Sequence, residues 1–174
     1  MSRRHELRCY DYVNHPYASV SDALRTKALV IFKRATSAAA ARANDLGVEL
    51  RARIGAIEVA ADVDVVITGV EEATSPFGHP ATKLGLAWKA AHRPGLFPSL
   101  TGTLTAYALS PTETQLELFG AYDPPLGVLG DAIDAVAMHK IAEASVLRFV
   151  QDIAAYLRTE LPQAPGPGAT YWIE

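Results

Sequence analysis

A histidine and a carboxylate four residues apart are the first place to look for chemistry. His139 and Glu143 fall where the surrounding pattern is helical, so one turn sets them side by side. Facing an apolar cavity with Tyr122 near them, the pair could orient or protonate a ligand carbonyl by general acid–base chemistry. The plainer reading is an exposed His–Glu pair on a solvated face, and it is the favoured one. His5, His15, His79 and His92 lie apart, with neither HxH nor HExxH spacing, so no metal site is expected. Cys9 is the only cysteine, which excludes an intrachain disulfide or a cysteine-rich metal site. In a strand its thiol acts as a small hydrophobe. The chain carries no Gly-rich phosphate loop and no G-x-S-x-G elbow, and Gly127-x-x-Gly130 serves to ease a turn. No cofactor is expected.

Two groups of acids have electrostatic readings. Asp131 and Asp134 fall in the first turns of the last helix, where negative charge suits the macrodipole. Asp11 shares a strand face with Cys9 and Val13. If that face points inward, Asp11 needs a partner such as an arginine or a place at a pocket mouth; otherwise it marks the strand's end.

The elements that position these groups follow from periodicity. Residues 7–13 alternate as a strand ended by Asn14-His15-Pro16, and Ser19-x-x-Asp22 is a capping signal for a helix over residues 20–46. That helix has an apolar group at Leu29, Ile31 and Phe32, an alanine run over 38–41, and Gly47 as its C-cap. Residues 48–59, which include Arg51 and Arg53, and residues 63–72 read as strands rich in Val and Ile. Residues 74–80 form a loop and 83–91 a further strand with Leu84, Leu86 and Trp88 on one face. His92-Arg93-Pro94-Gly95 turns the chain.

The next two strands fix their own register. Leu100, Gly102, Leu104 and Ala106 alternate with threonines and Tyr107, and Leu116, Leu118, Gly120 and Tyr122 alternate with Gln115, Glu117 and Phe119. A one-residue slip would turn every side chain over. A three-residue turn at Ser110-Pro111-Thr112 pairs Leu104 with Leu118, Ala106 with Leu116, Leu100 with Tyr122 and Thr105 with Glu117. The result is one dry and one wet face. Asp123-Pro124-Pro125 then offers an N-cap, and helical periodicity runs over residues 129–161, about 45 Å at ~1.5 Å per residue. Val146, Phe149, Val150, Ile153 and Leu157 give its second half core spacing. Its first half is mixed. Residues 1–161 form one domain, and 162–174 a Pro/Gly-rich tail ending in the apolar Tyr171-Trp172-Ile173. That tail reads either as a frayed end or as a segment docking on its own domain or a neighbour.

Composition excludes several classes. The 174 residues are 49% hydrophobic and 20% charged, an ordinary globular balance. A net charge of -3 with scattered basic residues excludes affinity built on phosphate neutralisation, so no nucleic-acid partner is expected. The N-terminus has no apolar signal region, and no run of ~18 apolar residues offers a membrane span; a cytoplasmic protein is expected.

A strand, helices, about five antiparallel strands and one long helix follow the helix-grip order, an α+β fold with a curved sheet of about six strands wrapped around the C-terminal helix. The sequence resembles the START-like, or SRPBCC, superfamily, which includes polyketide cyclases. The resemblance rests on Tyr12-Val13-Asn14-His15-Pro16-Tyr17, Leu96-Phe97-Pro98, and Gly120-x-Tyr122-x-Pro124-Pro125-Leu126-Gly127-x-x-Gly130. It implies two short helices after the first strand, with a bend near Thr26, and a cavity between sheet and last helix for an apolar small molecule. It does not imply a reaction. The expected wall is Trp88, Leu104, Leu118 and Tyr122 facing Ile133, Val136 and Ala137, with room left by Gly102, Ala106 and Gly120. The alternative is a filled core with glycines that curve the sheet. Three functions follow: a carrier or sensor of a lipid-like or polycyclic molecule; a cyclase or aromatase using His139, Glu143 and Tyr122; and an interaction protein with a filled core. A homodimer is compatible with each.

Overall fold

The computed structural model describes residues 5–54, 63–90, 99–123 and 132–162. In chain order these form β1 (His5–Val13), α1 (Tyr17–Ile54), β2 (Val63–Thr74), β3 (Pro80–Ala90), β4 (Ser99–Ser110), β5 (Glu113–Asp123) and α2 (Ala132–Glu160). The strands make one antiparallel sheet in the order β1-β5-β4-β3-β2, so β1 and β2 are its edges. Both helices pack together on one face of it, α2 over β1 and β5 and α1 beside α2 and against β2. This is the helix-grip α+β arrangement, with five strands among the described residues where about six are expected.

The central hairpin has the register its alternation dictates. Leu104 faces Leu118, Ala106 faces Leu116, Leu100 faces Tyr122 and Thr105 faces Glu117. The odd residue is absorbed differently from a simple three-residue turn. Ser110 pairs with Glu113 across Pro111-Thr112, and the register shifts between Ala108 and Ser110, leaving Leu109 as a bulge. The buried face of the sheet carries Leu84, Leu86, Trp88, Leu100, Leu104, Leu116, Leu118 and Tyr122, and the core of α2 is Val146, Phe149, Val150, Ile153 and Leu157, as spaced. Phe149 is the hinge of this packing. Its ring meets Trp88 of β3 edge-on at 5.0 Å and Phe32 of α1 at 5.6 Å.

The region after β1 departs from expectation. In place of two short helices bent near Thr26, one helix of 38 residues runs from Tyr17 to Ile54. It passes through Gly47, which is therefore not a C-cap, and takes in residues 48–54, expected as a strand; residues 55–59 lie outside the described residues. The physical reason lies in the sequence of that stretch. Val48, Leu50, Ala52 and Ile54 alternate with Glu49, Arg51 and Arg53, which imitates a strand, yet Leu, Ala, Glu and Arg are strong helix formers. One interior glycine costs only about 1 kcal/mol, less than the gain from continuing. The helix also starts earlier than Ser19-x-x-Asp22 suggests. The Pro16 carbonyl accepts the amides of Ser19 (3.1 Å) and Val20 (3.2 Å), so Ser19 already lies in the first turn. Of the apolar group, Ile31 and Phe32 are buried and Leu29 is exposed.

Candidate ligand site

The antiparallel register lays Trp88, Leu100, Tyr122 and His5 in one row across β3, β4, β5 and β1. All four point to the helix face. Trp88, Leu100 and Tyr122 are buried, and Trp88 Nε1 has no hydrogen-bond partner among the described residues. A buried indole N–H without an acceptor is costly and asks for a polar group from elsewhere.

The polar end of the row is a hydrogen bond followed by a close histidine–carboxylate contact. The Tyr122 hydroxyl meets Nδ1 of His139, and His139 Nε2 lies 3.1 Å from a carboxylate oxygen of Glu143. With the proton on Nε2, toward the carboxylate, the uncharged ring's Nδ1 accepts from the tyrosine. His5 stacks on Tyr122 at 5.3 Å and lies 5.7 Å from the His139 ring. Burial, followed by the nearby Glu143 carboxylate, pushes the Tyr122 hydroxyl up to about 12. The His139 and Glu143 side chains are 39% and 54% exposed, so the chain leads from a buried phenol outward to water. The half-exposed pairing with Glu143 is that of the surface reading, with the contact to Tyr122 added. His139 pairs with Glu143 at the surface and holds Tyr122 at the same time.

The remaining expected site residues divide. Leu104 and Leu118 pack in the centre of the core with no exposure. Ile133, Val136 and Ala137 lie on the first turns of α2, placed there by its backbone. Gly102 and Gly120 stand directly opposite each other. A Cβ on Gly102 would come 2.8 Å from the Phe119 carbonyl oxygen, and one on Gly120 2.8 Å from that of Thr101. Their bareness therefore lets two strands approach, which is the sheet-curving role. Asp131, His92, Leu96-Phe97-Pro98 and Pro124 to Gly130 lie outside the described residues.

Asp11 has the partner its inward position demands. Arg158 of α2 donates to Asp11 Oδ1 at 2.6 Å and also to the Tyr12 carbonyl, tying the end of the helix to the end of β1. His5 is the site residue that sequence reasoning missed. Only the pairing of β1 with β5, Leu7 against Gly120, places it beside Tyr122. Burial pushes the Cys9 thiol up to about 12, consistent with a small hydrophobe. Among the described residues no group of three or more His, Cys, Asp or Glu could hold a metal ion, and no helix is long and apolar enough to cross a membrane.

Curved sheet, paired helices and a polar-ended row define a helix-grip domain with a candidate site at one end of its sheet. No family model matches the sequence, and no curated protein matches it. Solved structures with a similar arrangement include the Zhui aromatase/cyclase of a Streptomyces strain, at 12% identity over 89% of this chain and 94% of that one (TM-score 0.42). Another is the protein Ara h 8.0201, at 9% identity over 89% and 98% (TM-score 0.40). A third is norcoclaurine synthase from Thalictrum flavum, at 6% identity over 91% and 89% (TM-score 0.39). At this level of likeness the fold rests on the element order and sheet topology, and the activities in those names stay with those proteins.

Proposed function

We propose that the chain binds a hydrophobic small molecule, lipid-like or polycyclic, as a carrier or sensor. The molecule would sit at the end of the sheet marked by Trp88 and Tyr122, beneath the first turns of α2. The observation that carries this reading is the buried Trp88 Nε1, an orphan donor in a row of apolar and aromatic side chains. An apolar ligand with one carbonyl or hydroxyl group would satisfy it while covering Leu100 and Tyr122, the pattern of a site that is mostly apolar with few placed polar groups. Ile133, Val136 and Ala137 would form the opposite wall. Leu104 and Leu118, deeper in the core on the same face of the sheet, would form the inner end of the site.

Native mass spectrometry and solvent extraction of the purified protein test this. A co-purified apolar molecule, lost in Trp88→Phe, is the expected result. A protein that carries nothing, and whose melting temperature no panel of fatty acids or polycyclic phenols raises, would overturn it.

A second reading is supported by the Tyr122–His139–Glu143 chain, which is the wiring of a general acid that can be resupplied from water. On this reading the site performs cyclase or aromatase chemistry on a carbonyl compound. A His139→Gln variant that retains the ligand but no longer converts it would favour the enzyme. Equal behaviour of both proteins toward a ligand that neither converts would favour the carrier.

A further inference from the structure

Among the described residues the sheet has an uncovered edge where a groove runs beside it. β1 is the last strand in the sheet order, so its outer backbone groups pair with no strand among the described residues. Between β1 and α2 lies a groove of about 460 Å³, lined by Leu7, Cys9, Val146 and Leu147 with Arg8, Tyr10 and Glu143 at its margins. Leu147, an apolar residue on a helix, is 40% exposed there. Long unpaired edges beside apolar surface invite another strand, and proteins usually cover them.

We propose that the chain's own Tyr171-Trp172-Ile173 segment fills this groove. Reach and direction both support it. The bond from Arg158 to Asp11 fixes the end of α2 beside the end of β1, so the chain leaves α2 at the foot of that strand. From Glu160 back to Leu147 is thirteen helical residues, about 20 Å. The nine residues from Pro162 to Tyr171 reach about 28 Å as a Pro/Gly-rich extended connector, so the apolar segment arrives level with the groove. A chain turning back from there runs antiparallel to β1, the orientation in which it can pair with the free edge. The sequence fits that path. Pro162, Pro165 and Pro167 with Gly166 and Gly168 cannot continue the helix, whereas Ala169-Thr170-Tyr171-Trp172-Ile173 is a strand-forming run with aromatic side chains of groove-filling size.

The test is disulfide trapping in the full chain. In a Cys9→Ala background, Leu147→Cys puts a thiol in the groove and Ile173→Cys one in the tail. Mild oxidation should close an intramolecular disulfide, read as a monomer mass lower by two hydrogens and as a linked pair of tryptic peptides. The control replaces Leu147→Cys with Val66→Cys, more exposed but on β2 at the opposite edge of the sheet; it should stay reduced under the same oxidation. Two free thiols in the Leu147→Cys protein, with the circular dichroism of the parent, would overturn the proposal. So would a disulfide-linked dimer, which makes the occupant a second copy, or equal closure in the control, which makes the tail unselective.

Discussion

The Tyr122 hydroxyl and Nδ1 of His139 share a hydrogen bond that joins β5 to the helix the sheet grips. Tyr122 is almost wholly buried, and its ring packs against those of His5 and His139, which also lie against each other, so the three rings form one cluster. The contact makes one residue pair both a structural clasp and the inner end of a path to water through Glu143.

The two halves of that clasp differ in what their loss leaves behind. Tyr122→Phe removes donor and hydroxyl together and should cost about 1 kcal/mol. His139→Ala instead leaves a buried hydroxyl without its partner and should cost about 1–3 kcal/mol. Urea unfolding of both variants checks the order. A less stable Tyr122→Phe would mean that the hydroxyl finds another partner when His139 is gone.

Alkaline pH should weaken the fold ahead of its surroundings. Burial raises Cys9 from an ordinary 9 to about 12, and Tyr107 and Tyr122 from 10 to about 12, with Glu117 adding to the shift at Tyr107. Each group stays neutral longer when folded than when unfolded, so the stability it lends is complete below its unfolded value. That stability is lost as pH climbs through the folded one. Urea midpoints should be flat to about pH 9 and fall steadily toward pH 12. In Tyr122→Phe the fall should be shallower, and an unchanged slope would remove Tyr122 from the account.

Arg158 holds two acceptors on β1, the Asp11 carboxylate and the Tyr12 carbonyl. Asp11→Asn should therefore cost less than Arg158→Met, which strips both contacts. The difference should be about 1 kcal/mol, because bonds to a charged donor exceed neutral ones but this pair is partly open to water. Raising salt should shrink the Asp11→Asn effect more than the Arg158→Met effect, since the carbonyl contact carries no full charge. Equal costs at low salt would show that the carbonyl contact contributes little.

How much of this was legible in the sequence depends on what each residue's neighbours constrain. The β4–β5 register was legible because both faces carry a pattern, and only one offset keeps Leu104 against Leu118 and Thr105 against Glu117. The core of α2 was legible for the same reason. Residues 48–54 were misread because a seven-residue alternation of Val, Leu, Ala and Ile with Glu and Arg satisfies strand and helix patterns alike, and only continuity with α1 decides between them. At the candidate site, the nearness of His139 to Glu143 was legible from helical spacing and the inward phase of Tyr122 from strand alternation. His5 was not, because its place beside Tyr122 depends on a pairing between strands more than a hundred residues apart. Asp11 lay between: a cation was needed only if its face pointed inward, the strand's end was the simpler reading, and the long-range fold decided it by supplying Arg158.

The paired glycines sit in the row next to that of Trp88, Leu100 and Tyr122, between Leu86 and Leu7. Gly102 and Gly120 face each other one step from Leu100 and Tyr122, and a methyl on either would press against the opposite backbone at 2.8 Å. The obstacle is main chain, which cannot rotate away, so relief requires the strands to separate where the candidate site begins. Gly102→Ala and Gly120→Ala should each cost about 1–3 kcal/mol, as overpacked substitutions do. The double variant should cost less than the sum, because a separation forced by the first methyl already makes room for the second. Each single variant should also loosen the site, seen as weaker retention of a bound apolar ligand, whereas Leu104→Ala should destabilise by about 2–5 kcal/mol through a cavity in the central core. If Leu104→Ala instead proved mild and left ligand retention low, the ligand would reach the sheet's centre. The Trp88–Tyr122 end would then be only its mouth.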